Sequence, residues 1–75
     1  MNVVIYGKTQ CPYCVKAKMV CEQRGFDYEY YEMGTDFQLD FILLKFPGAK
    51  TFPQIIVDGT HVGGYTEMME LLDGE

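Results

Sequence analysis

Turn-forming residues subdivide this chain so closely that only short elements fit between them: Gly7, Pro12, Gly25, Gly34, Pro47-Gly48, Asp58-Gly59 and Gly63-Gly64. Within those limits the side chains choose the element type. Asn2 to Tyr6 is an apolar run ending at Gly7, which suits a strand buried on both faces. After the polar connector Lys8-Thr9-Gln10, Pro12 fits the first turn of a helix, where its missing N–H does no harm. Cys14, Ala17, Val20 and Cys21 then share one helical face, with Lys16 and Gln23 opposite, and Gly25 is a left-handed stop. Phe26 to Met33 is rich in tyrosine and reads as a second strand. The segment joining the two strands is long enough for a right-handed crossover, so they are expected to lie parallel.

Asp36 through Phe46 has helix length, with Phe37, Phe41 and Leu44 on one stripe, and Pro47-Gly48 ends it. Its run Phe41-Ile42-Leu43-Leu44 is apolar nearly all round, so part of it is expected to stay exposed. Gln54 to Val57, Asp58-Gly59 and Thr60 to Val62 form a strand–turn–strand pattern whose Asp-Gly pair suits a type I′ turn. Gly63-Gly64 lets the chain pass close to a neighbour, and Thr66 is placed to cap a last helix running through Leu72. The expected order is β-α-β-α-β-β-α, an α/β fold with a four-stranded mixed sheet. No repeat or linker divides the sequence, so residues 1–75 are read as a single domain.

A chain of 75 residues has one modest core to stabilise it. Being 48% hydrophobic and 23% charged, it is composed like a globular protein, which excludes disorder and disulfide-dense scaffolds. No apolar run approaches the roughly 20 residues that span a bilayer. The first residues show neither a basic segment nor a small-residue cleavage site, so no secretory signal is read and a cytoplasmic location is expected. A net charge of −5 argues against a nucleic-acid surface. The charge is unevenly placed. Residues 1–25 hold four basic side chains against Glu22, a net +3, while residues 26–75 hold two against ten acids, a net −8. A basic first third in an acidic protein suits an anionic ligand, although a solvated helix face gives the same pattern.

The chemistry centres on Cys11-Pro12-Tyr13-Cys14, where the first strand hands over to the first helix. Cysteines at i and i+3 on a helical turn have Cα atoms roughly 5–6 Å apart, within disulfide range. Cys11 lies at the helix start, where unpaired N–H groups and the macrodipole favour a thiolate, and Lys8 adds positive potential. Cys14 lies one turn in and is less activated, so Cys11 is the expected nucleophile. Structural zinc needs two further ligands, and Cys21 and His61 do not form a pair at finger spacing. A redox site after the first strand of a βαβ unit is the reading that remains favoured.

Cys11-Pro12-Tyr13-Cys14 after Tyr6-Gly7-Lys8, then Thr51-Phe52-Pro53, then Gly63-Gly64-Tyr65-Thr66-Glu67 resemble the signature segments of the dithiol glutaredoxins, in order and over essentially the whole chain. The resemblance is to small bacterial and phage-encoded members. It implies a thioredoxin-like fold and glutathione-dependent thiol–disulfide exchange. Cys11 matches the nucleophile and Cys14 the resolving cysteine. Pro53 matches a cis-proline that turns the Phe52 backbone toward a bound peptide. Lys8, Tyr13, Thr51 and Phe52 match positions that contact glutathione. Gly64, Tyr65, Thr66 and Glu67 match the segment gripping its γ-glutamyl end, helix-start N–H groups taking the carboxylate and Glu67 the ammonium. Glutathione is then a co-substrate, with no tightly bound cofactor and no metal. Partners would be disulfide-bearing proteins, ribonucleotide reductase among them, and the chain is expected to be a monomer. Phe52 departs from the pattern, standing where an aliphatic residue is usual, and the last helix is shorter than in many relatives.

Other residues read as structural. Cys21 is a buried small thiol, His61 pairs within the hairpin, and Tyr28-Glu29-Tyr30-Tyr31 packs as a strand. Two rival functions stay open: a thioredoxin-like carrier served by a flavoprotein reductase, and an iron–sulfur carrier using Cys11 with external glutathione.

Overall fold

Strand β1 (Asn2–Gly7) is apolar in both phases, and it takes an inner place in the sheet. A computed structural model describes residues 1–74. Strand β2 (Asp27–Glu32) runs parallel to β1 on one side, and β3 (Gln54–Val57) pairs antiparallel on the other. Strand β4 (Thr60–Gly63) completes the order β2-β1-β3-β4. The expected element order and the four-stranded mixed sheet are both present. Asp58 at φ 49° and Gly59 at φ 86° make the β3–β4 connection, both in the left-handed region that a type I′ turn requires.

Alternation along β1 divides the core in two. Val3 and Ile5 point to the face covered by α1 (Pro12–Arg24) and α3 (Tyr65–Asp73), where they meet Ala17, Cys21, Ile55, Val57, Met68 and Leu72. Tyr6 points to the other face, against Phe37, Ile42 and Phe46 from the segment around α2 (Leu39–Lys45). Ile5 is fully buried. Trimming it in Ile5→Ala is expected to remove about 2–5 kcal/mol of stability, read as a fall in the urea midpoint with the slope unchanged.

Two readings need correction. The second helix begins at Leu39, not Asp36, because Phe37 is held outside it, bridging to Met33 and accepting the Gly34 N–H. Its buried residue is Ile42, followed by Phe46 at the C-cap, while Leu44 is 82% exposed. The stripe of Phe37, Phe41 and Leu44 is therefore not the packed face. Helix α3 is capped by Gly64, and Thr66 lies inside its first turn. Exposure of part of the α2 run holds: Leu39, Phe41, Leu43 and Leu44 all face solvent to a large degree. No helix among the described residues is long and apolar enough to cross a membrane.

Candidate active site

The β1–α1 connection delivers Cys11 to the end of a helix. Gln10 sits at φ 55°, a left-handed conformation uncommon outside glycine, and turns the chain so that extended Cys11 becomes the N-cap of α1. Pro12 follows at the first helical position. Cys11 Sγ accepts the Cys14 backbone N–H at 3.2 Å, in the manner of a capping side chain. Cys11 and Cys14 are joined as a disulfide with Cα atoms 5.2 Å apart. Their access differs: Cys11 keeps 8% of its surface and Cys14 none. Disulfide chemistry from outside must therefore reach Cys11. Cys21 is buried and free, and burial, helped by Glu22, pushes its thiol above the ordinary range.

The loop before β3 comes back to this point. The Phe52–Pro53 bond is cis, and the Phe52 carbonyl oxygen lies 3.8 Å from Cys11 Sγ. Buried Gln54 fixes the loop from behind. Its amide nitrogen donates to the Thr51 carbonyl at 2.6 Å, and its oxygen lies 2.8 Å from His61 Nε2. The His61 ring stacks on Phe46 at 4.1 Å, so its reading as a hairpin residue is extended by a link to this loop. Sequence reasoning passed over Gln54, since a polar residue opening an apolar strand looks like any strand end.

Tyr13, Thr51, Phe52, Pro53, Gly64, Tyr65, Thr66 and Glu67 line one groove of about 330 Å³. Three segments far apart in sequence thus meet in one place. The Tyr13 and Tyr65 rings, both part of its lining, pack against each other with centroids 5.6 Å apart and planes tilted by 31°. Gly64 approaches Pro53 so closely that a Cβ there would lie 3.3 Å from the Pro53 carbonyl oxygen. The first N–H groups of α3 have no carbonyl one turn earlier to bond, so they can meet an anion. Glu67 Oε1 already accepts the Gly64 N–H at 2.7 Å, which makes Glu67 half cap and half surface charge.

Lys8 is placed differently from the other matched residues. It lines a second concavity on the far side of Cys11, with Lys18, Tyr30 and Glu32, while its ammonium sits over the Phe52 ring at 5.6 Å. Of the basic first third, Lys8 and Lys18 share this concavity with Cys11, and Glu32 lies in it as well. At Gly7, directly before Lys8, an added Cβ would collide with the Tyr30 ring and hydroxyl.

Comparison with known proteins bears on this arrangement. The glutaredoxin family profile matches residues 3–62. Glutaredoxin 1 of Rickettsia felis is 37% identical over 72 residues, covering 93% of this chain and 71% of that one. Glutaredoxin 1 of Escherichia coli K12 is 38% identical over 74 residues, covering 89% and 87%. The crystal structure of a buckwheat glutaredoxin–glutathione complex superposes with a TM-score of 0.80 at 34% identity, over 96% of this chain and 69% of that one. With a thioredoxin-like α/β fold and a redox-active Cys-Pro-Tyr-Cys pair at the head of α1, the chain belongs to the glutaredoxin family of thiol–disulfide oxidoreductases.

Proposed function

We propose that residues 1–75 act as one monomeric unit in the cytoplasm, reducing protein disulfides and glutathione mixed disulfides at the expense of glutathione. The Cys11 thiolate attacks a client disulfide, forming a mixed disulfide and releasing one client thiol. Cys14 then attacks Cys11 Sγ, which frees the second client thiol and forms Cys11–Cys14. One glutathione thiolate opens that disulfide onto Cys11, and a second removes it as oxidised glutathione. Ribonucleotide reductase fits among the clients by family resemblance.

The observation that carries this reading is the groove lined by Tyr13, Thr51 to Pro53 and Gly64 to Glu67, in which the carbonyl of Phe52 lies 3.8 Å from Cys11 Sγ. The dimensions and chemistry suit a tripeptide: the Phe52–Pro53 backbone along its middle, α3 N–H groups for the γ-glutamyl carboxylate, and Glu67 for the ammonium. Lys8 adds charge from the other side of Phe52.

The test is turnover of a small glutathione mixed disulfide with glutathione and glutathione reductase, set beside thioredoxin reductase as the sole electron source. Turnover is expected with the first alone, and support only from thioredoxin reductase would overturn the reading. Within that assay Glu67 separates binding from folding. Glu67→Gln keeps an oxygen for the Gly64 N–H but removes the charge. It is expected to raise KM for glutathione-bearing substrates on the order of tenfold, with little change for substrates lacking the ammonium. Glu67→Ala should do the same and also lower stability by about 1 kcal/mol through the lost cap.

A further inference from the structure

The apolar surplus of α2 takes no part in this chemistry, and it borders a third concavity, on the sheet face away from α1 and α3. Its volume is about 420 Å³. Four rings (Tyr6, Tyr31, Phe37, Phe41) and two carboxylates (Glu29, Asp36) dominate its lining, which includes no lysine, arginine or histidine. Tyr6 is the hub: Tyr31 stacks on it at 5.5 Å, Phe37 meets it edge-on at 5.4 Å, and Phe41 is tilted at 5.7 Å. Glu29 Oε2 accepts the Tyr31 hydroxyl at 2.7 Å, and Asp36 Oδ2 accepts the Glu32 N–H at 2.8 Å. Each carboxylate uses one oxygen in this way, and a carboxylate accepts at both. The local field is negative. Burial and then Glu29 raise the Tyr6 hydroxyl above its ordinary range, and the bond to Glu29 raises that of Tyr31. At the edge of the cluster, the Lys45 ammonium lies 5.9 Å from the Phe41 ring centre and 5.7 Å from that of Phe46.

We propose that this groove docks a segment of a partner protein that presents an arginine between apolar side chains. Charge complementarity points to that occupant. A guanidinium stacks flat on tyrosine while its fork meets a carboxylate, which a lysine ammonium does not do. Apolar neighbours of that arginine would cover Phe41, 42% exposed, and Leu44 beside it on α2. A second copy of this chain is a poor fit. Its only arginine, Arg24, lies between Gln23 and Gly25, and two copies of net charge −5 repel. The Phe37 ring lies 6.4 Å from that of Phe52, so the surface reaches the wall of the reaction groove without including Cys11. A partner held there leaves the cysteine open.

The experiment is an NMR titration of the intact protein with a short synthetic peptide carrying one arginine between leucines, and with the same peptide carrying citrulline. The arginine peptide is expected to shift the ring signals of Tyr6, Tyr31, Phe37 and Phe41 and to bind about tenfold more tightly than the citrulline peptide. Glu29→Gln combined with Asp36→Asn should erase that difference, with the melting temperature and small-disulfide turnover unchanged. Equal affinity for the two peptides, shifts confined to Tyr13 and Tyr65, or no shift at millimolar peptide would each overturn the proposal. So would self-association through the same rings without peptide, seen by sedimentation. The peptide-binding readouts do not depend on glutathione, so this proposal and the proposed function fail separately.

Discussion

Cys14→Ser is expected to leave reduction of small glutathione mixed disulfides largely intact while slowing reduction of protein disulfides by roughly tenfold or more. Cys11→Ser is expected to abolish both. The asymmetry follows from position. Cys11 is the cysteine an outside disulfide can reach, and in the proposed mechanism it alone is needed when glutathione both leaves and attacks. Cys14 is fully buried behind it, and in the proposed mechanism it serves only the intramolecular step that releases a protein client. Without that step the mixed disulfide waits for external glutathione. Steady-state rates on the two substrate types, measured for both variants, check the division, and equal losses from the two variants would remove it.

In the reduced protein, Cys11 is expected to react with iodoacetamide at clearly lower pH than a free thiol, which titrates near about 8.5. The Cys14 N–H already points at Cys11 Sγ from 3.2 Å, the α1 start faces it, and Lys8 and Lys18 lie in the adjoining concavity. Each favours the thiolate, so its population rises at lower pH than for an ordinary cysteine. Cys21 moves the other way, raised by burial and by Glu22, and it has no access to reagent. Its labelling requires opening of the core and should be slower by about two orders of magnitude or more. Salt should weaken the Cys11 effect only in part, since lysine charges are screened and the short N–H contact is not. Mapping of labelled peptides across pH decides the matter. Titration of Cys11 near the free value, or prior labelling of Cys21, would reverse the assignment.

Both cysteines, the crossover and the hairpin were legible in the sequence because each rests on local chemistry: Pro12 after a strand, Gly25 after a helix, Asp58-Gly59 between two apolar runs. The groove was legible only through resemblance, since nothing in Thr51-Phe52-Pro53 or Gly64 to Glu67 announces that they meet Tyr13. Helix α2 was misread for a definite reason. Four consecutive apolar residues carry no phase, so the buried face was set by contacts outside the helix. Asp36 turns back to the Glu32 N–H, and Phe37 is drawn under Tyr6 before the helix starts. Thr66 looked like a cap by residue type, but Glu67 reaches the Gly64 N–H first and moves the helix start upstream. Gln54 left no trace, because its value lies in what it holds, the Thr51 carbonyl.

The inner place of β1 has a consequence for how the protein is made. Its second partner, β3, lies more than half the chain away, at Gln54–Val57, and so does the Phe52 carbonyl beside Cys11. A growing polypeptide that has emerged only as far as α2 holds β1 with one edge bare, an open template for pairing with another chain. Cys11 and Cys14 have then been synthesised, yet the loop that places the Phe52 carbonyl beside Cys11 has not. Selectivity is therefore a late property of biosynthesis, arriving with residues 51–57. During that interval the fold itself supplies no barrier to indiscriminate disulfide exchange.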